Sequence, residues 1–155
     1  MKKLLTGAAT LAVAASLASA SVAAGHKSYT IGVSNTVQGN GWREQMICAM
    51  RAQALVEGDV TNLIVAHRNT DSAGQLEDLN NLIEAGVDAI VLNPSNPDAL
   101  NSALNAAIAQ GIVVVAVDAG VTAEGAYILS NNQEEYAYLG AKSVSYTHLR
   151  AHETF

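Results

Sequence analysis

The 155-residue chain carries 14 acidic and 8 basic side chains, a formal charge of −6, one cysteine and 50% hydrophobic residues. This balance excludes a disordered chain, which is too poor in apolar residues to build a core, and a disulfide-stapled one, which needs paired cysteines. It fits one globular domain of ordinary composition.

Residues 1–24 open with Lys2 and Lys3, continue through an apolar run to about Ala18 and end in small residues. This is the three-part pattern of a secretory signal peptide, too poor in Leu to read as a membrane span. Cleavage after Ala24 or after Ala20 fits the small-residue rule, and Ala24 is preferred because a strand begins near Tyr29. The protein is therefore expected to be exported. Cys48, alone in an oxidising compartment, has no partner for an internal disulfide and is expected as a buried thiol on an apolar helix face. At the other end, residues 144–155 break the preceding pattern and hold two of the four histidines, His148 and His152. The run 144–154 resembles the translation of a transposase adapter from shotgun sequencing libraries. A non-native tail is preferred over a polar tail with an i, i+4 histidine metal pair. Setting aside both ends removes three basic residues and one acidic one, so residues 25–143 carry −8. That charge disfavours nucleic acid and anionic membranes as partners.

Between the ends, short apolar runs recur at 29–33, 63–66, 89–92, 112–117 and 126–129. None alternates with polar residues, which predicts parallel strands buried on both faces. Helical spacing fills 42–56, 73–85 and 98–110, with Leu76, Leu79, Leu82 and Ile83 on one stripe. Gly58, Gly86 and Gly111 stand where helix C-terminal caps belong, while Asp71 or Ser72 and Pro97-Asp98 supply helix-opening chemistry. The pattern predicts an α/β three-layer sandwich with a mostly parallel sheet.

Open parallel sheets bind ligands outside the carboxyl ends of their strands, so the residues after each run are the candidates. They are 34–42, then His67 to Asp71, then Asn93 to Asn96, then Asp118-Ala119, then Ser130 to Asn132. Asparagine stands at four of these five ends. It offers a donor and an acceptor, and Asp118 accepts two hydroxyl protons, a set suited to a neutral polyhydroxylated ligand. Asn93 and Asn132 enter the candidate ligand set on this ground. Trp42, the only tryptophan, is a platform for the apolar face of a sugar ring or else a packing residue. For any one asparagine, capping its own backbone is the commoner role. Asp118 is harder to explain structurally, because it follows a buried apolar strand where an unpaired charge is costly. Gly39-Asn40-Gly41-Trp42-Arg43-Glu44 imitates a dinucleotide fingerprint but has Glu44 where the third glycine belongs. His67 with Asp71 can be drawn as a general-base pair, although an exposed loop histidine is the simpler reading. No catalytic residue, metal ligand or cofactor is assigned.

The phrases YTIGVSNTVQGNGWREQMICAM, AGQLEDLNNLIEAGVDAIVLNPSNPDAL, AIAQGIVVVAVDAG and ILSNN together resemble the ribose-binding class of periplasmic sugar-binding proteins that feed ABC importers. The resemblance spans 29–143 and implies two similar α/β lobes that trap a sugar or polyol between them and deliver it to the permease subunits. It implies ligand contacts from Asn40, Trp42 and Arg43 in the first loop, Asn69 in the second and Asp118 after the fourth strand. Ala119 departs from the arginine common there, so pentose or hexose preference is not carried over. Complete members are about twice this long. Residues 25–132 are therefore expected to form the first lobe, 133–143 the opening helix of a second, and the complete protein to be a monomer. An exported sugar sensor for a chemoreceptor or kinase, and an exported flavodoxin-like enzyme using His67 and Asp71, are the rival readings.

Overall fold

The computed structural model describes residues 27–149. The expected signal segment 1–24 lies outside the described residues, as does the end of the tail. The elements alternate as the periodicity predicts. β1 (Tyr29–Asn35), α1 (Gly41–Glu57), β2 (Val60–His67), α2 (Ser72–Glu84), β3 (Ala89–Asn93), α3 (Asn101–Ala109), β4 (Val113–Val117), β5 (Tyr127–Leu129) and α4 (Gln133–Val144) follow one another, and α4 runs on into a π-helical turn at Ser145–Leu149. All strand pairs are parallel, in the order β2-β1-β3-β4-β5.

Local chemistry sets the boundaries. Asn40 caps α1 by accepting from the Trp42 and Arg43 backbone N–H groups, and Asp71 caps α2 through Gly74 N–H. Gly58, Gly86 and Gly111 adopt φ of 72°, 69° and 83° after three helices, a left-handed conformation that glycine enters without steric cost. The third helix starts later than Pro97-Asp98 suggests. Asn96 Oδ1 accepts from Asp98 and Ala99 N–H, closing a separate turn before α3 begins at Asn101.

Pleating sends alternate side chains to opposite faces. Ile90, Leu92, Val114 and Ala116 face α2 and α3, where Leu79, Leu82, Leu100 and Leu104 seal them into one dry core. Ile31, Val33, Leu63 and Val91 face the other way, towards Met50 and Ala54 of α1, around a groove of about 250 Å³. The expectation that every strand is buried on both faces is therefore corrected. Val113 of β4 is 46% exposed, and all three residues of the edge strand β5 are exposed, Tyr127 and Leu129 on the α1 side and Ile128, in register with Ala116, on the other. Cys48 is likewise exposed, not buried. The inward stripe of α1 runs through Ile47, Met50 and Ala54, and one residue past Ile47 the helix has turned about 100° away from it. α4 has no buried residue.

Candidate functional site

The strand order places the site. From β1 the chain crosses to β2 on one side and then to β3 on the other, leaving a crevice at the carboxyl ends where the crossovers diverge. Register aligns three polar residues across that edge, since Asn35 pairs with His67 of β2 and with Asn93 of β3. Parallel pairing in register puts all three on one face of the sheet, the face α1 covers. The first turn of α1 then delivers Trp42 and Arg43 over the row.

Asp118 stands at the next strand end with φ of 71°, the one non-glycine residue of positive φ among those described. Ala119 N–H donates back to Val117 O at 2.9 Å, so Asp118 is the centre of a γ-turn of the rare, strained hand. Strain of this kind costs of order 1–3 kcal/mol and collects at ligand sites. Its carboxylate Oδ2 accepts from Asn93 Nδ2 at 3.2 Å and lies 3.8 Å from an Arg43 guanidinium nitrogen. The Asp118 side chain is 33% exposed and that of Arg43 19%, so the carboxylate is held from below and open above. Asn93 is fully buried, and its Oδ1 has no partner among the described residues. Trp42, 48% exposed, lines a cleft of about 190 Å³ with Asp118, Val117, Leu129, Ser130 and Asn131, and the Arg43 guanidinium sits 5.5 Å from its ring centre.

The structure thus gathers Trp42, Arg43, Asn93 and Asp118. Asn40 and Asn69 stand at the same edge with their oxygens occupied. Asn40 caps α1, and Asn69 Oδ1 accepts from Gln38 N–H at 2.7 Å, tying the first loop to the second. Asn132 caps α4 through Glu135 N–H and borders a hollow of about 430 Å³ with Glu134, Glu135 and Tyr138. That hollow lies on the exposed surface of α4 alone, and it is Asn131 that lines the cleft.

Gln75 escaped the sequence reading, and Asn35 stood within the candidate segment 34–42 without being given a role. Gln75 of α2 donates to Ser34 Oγ and Asn93 O and accepts from Ser95 N–H, stapling β1, β3 and α2 together under the crevice. Asn35 is fully buried, accepts from an Arg43 guanidinium nitrogen at 2.7 Å, and donates to Val37 O and His67 Nδ1, both at 2.7 Å. The available signal was a polar residue at an inward-facing strand position, which demands partners. His67 is not the exposed loop histidine expected, nor is it paired with Asp71. It ends β2 with its side chain 11% exposed and Nε2 2.8 Å from Glu44 Oε1, while Asp71 caps α2. The Gly39 N–H, donating at 2.7 Å, and then the His67 bond hold the Glu44 carboxyl below its usual range. Arg68 turns away to grip Asp78 of α2 through Nε and a terminal nitrogen, and the carboxylates of Asp78 and Glu77 raise its already high pKa. No group of three or more His, Cys, Asp or Glu among the described residues is placed to hold a metal ion.

A carboxylate held by an arginine and a buried amide, with an exposed indole beside it, can bind a polar, hydroxyl-rich ligand without chemistry. Known proteins agree in fold and family. The chain is 32% identical over 92 residues to the ribose import binding protein of Bacillus subtilis, covering 59% of this chain and 30% of that protein. It is 31% identical to an ABC transporter solute-binding protein from Thermobispora bispora, at a TM-score of 0.67, covering 76% of this chain and 38% of the other. A solute-binding protein from Mycobacterium smegmatis, solved with bound glycerol, is 35% identical at a TM-score of 0.58, covering 64% and 33%. The chain therefore spans about a third of the length of these relatives. A family model of the periplasmic binding protein domain matches residues 31–147, which takes in all of the sheet but the first two residues of β1, the crevice and α4, and to that family the chain belongs.

Proposed function

We propose that this chain supplies one wall of the ligand site of a periplasmic solute-binding protein, which takes up a monosaccharide or related polyol and passes it to the permease of an ABC importer. The observation that carries this reading is Asp118. A strained γ-turn presents its carboxylate to an open cleft, with Asn93 and Arg43 holding it and Trp42 beside it. In this reading Asp118 accepts two sugar hydroxyls, Arg43 and Asn93 accompany it, and the Trp42 face packs on the ring. Asn40 and Asn69 contribute through the amide nitrogens left over when their oxygens accept from the backbone, and Asn131 takes the place first given to Asn132. A second lobe forms the opposite wall, and closure of the two lobes buries the ligand, since small-molecule sites commonly enclose about 70–90% of ligand surface.

Calorimetric titration of the full-length protein with a panel of pentoses, hexoses and polyols tests the reading. Saturable binding to at least one of them is expected. Asp118→Ala is expected to weaken it by about 1–3 kcal/mol, the usual range for a lost buried hydrogen-bond partner. Unchanged affinity in Asp118→Ala and Trp42→Ala, with both variants folded, refutes the assignment of this crevice.

A further inference from the structure

Beneath the crevice runs a chain of hydrogen bonds whose direction is fixed at every step. Arg43 has only donors, so Asn35 Oδ1 must accept from it, at 2.7 Å. The amide is thereby oriented, and Asn35 Nδ2 donates its two hydrogens, one to Val37 O and one to His67 Nδ1. His67 Nδ1 must then be the unprotonated nitrogen. Its Nε2 carries the hydrogen and donates it to Glu44 Oε1 at 2.8 Å, where Gly39 N–H also arrives at 2.7 Å. The chain begins at the guanidinium beside Asp118 and ends at Gly39, on the loop that leads through Asn40 into the first turn of α1.

We propose that Asn35 and His67 are positioning residues of this crevice, which hold the Arg43 guanidinium beside Asp118 only while His67 is neutral and protonated at Nε2. The proposal rests on the sugar-binding reading for its effect on affinity, but not for the hydrogen-bond chain itself. A proton added at Nδ1 places one donor against another across 2.7 Å. The Asn35 amide must turn to offer Oδ1 to the histidine, and its Nδ2 then meets the Arg43 nitrogens, which have no acceptor to offer. Arg43 is released from β1. The groups that face His67 are few: Glu44 of α1 at Nε2 and Asn35 of β1 at Nδ1, with Arg43 one bond beyond Asn35, Arg51 of α1 acting on Glu44, and Arg68 of the same loop turned to Asp78 and Glu77. Neither Asn35 nor His67 lines the cleft that holds Trp42 and Asp118. They act through Arg43.

The test uses the full-length protein in two measurements. Long-range nitrogen–proton NMR at about pH 8, well above the ordinary histidine range, is expected to show His67 as the Nε2–H tautomer. The Nδ1–H tautomer overturns the proposal whatever the protein binds. Calorimetry with whichever sugar binds is expected to show lower affinity at a pH where the same NMR experiment finds His67 doubly protonated than where it finds the ring neutral. Asn35→Leu and His67→Leu are each expected to weaken binding at pH 8 by about tenfold or more. His67→Asn places an oxygen near the position of Nδ1, can accept from Asn35 and cannot gain a proton. It is expected to recover part of the loss and to remove the pH step. Full affinity in folded Asn35→Leu, or an unchanged pH step in His67→Asn, overturns the proposal. Absence of binding to any sugar, with the Nε2–H tautomer observed, overturns the sugar reading and leaves the hydrogen-bond chain standing.

Discussion

The two faces of the sheet are built to different standards. On the α2/α3 face, Leu79, Ile90, Leu100, Leu104 and Ala116 are wholly inaccessible, and nothing polar interrupts them until the carboxyl edge. On the α1 face, one helix with a single fully buried residue covers β1 and β2, and the strands beyond lie open along Val113, Tyr127 and Leu129. Yet it is this thinner face whose edge carries His67, Asn35 and Asn93, and whose helix brings Trp42 and Arg43. Stability and recognition are therefore separated across a sheet about one residue thick. The first face can be filled with close-packed apolar groups because no ligand has to reach it. The second must leave polar groups incompletely satisfied until something arrives.

Substitutions sharpen this contrast in order of expected size. Leu104→Ala, in the sealed core, is expected to cost about 2–5 kcal/mol in denaturant unfolding, because transfer free energy is lost and a cavity is left. Val113→Thr on the open face is expected to stay within about 0.5 kcal/mol. Equal costs at the two positions would mean that both faces are sealed alike. Gln75→Ala, on the α2 side beneath the carboxyl edge, strands Ser34 Oγ, Asn93 O and Ser95 N–H, so a loss of about 1–3 kcal/mol is expected from the same unfolding curves. Asp118→Gly is expected to stabilise the fold by about 1 kcal/mol relative to Asp118→Ala, since only glycine relieves the left-handed turn, while both variants lose ligand affinity. A glycine variant less stable than the alanine one would show that the turn stores no strain.

The smallest effect concerns acid. The folded-state pKa of Glu44 is depressed below 4.5, so its contribution is complete above the ordinary carboxylate range and is lost as pH falls through the depressed value. The unfolding midpoint of Glu44→Gln is therefore expected to decline less than that of the parent as the pH is lowered below about 4.5, measured as a difference between the two proteins. Its exposed position keeps this difference small.

Much of this was legible in the residues. Unbroken runs such as Val113 to Val117 read as strands of a parallel sheet, the stripe through Leu79 and Leu82 reads as a helix, and Asp71, Gly86 and Gly111 mark helix ends through chemistry confined to one turn. Asp118 stood out because an acid after such a strand needs a reason. These are local properties, set by neighbours within a few positions. The tertiary structure decided what depends on neighbours distant in sequence. Strand order put β1 between β2 and β3 and so created the crevice, and register brought Asn35, His67 and Asn93 into one row across sequence separations of 32 and 58. It also decided that Cys48 faces solvent and that β5 lies bare, because burial depends on which elements pack where and not on the apolarity of a segment. The direction of the hydrogen bonds from Arg43 to Glu44 could be read only once five groups from two strands, a loop and a helix lay within bonding distance, since the Asn35 amide and the His67 ring each permit either sense and only the assembled chain excludes one.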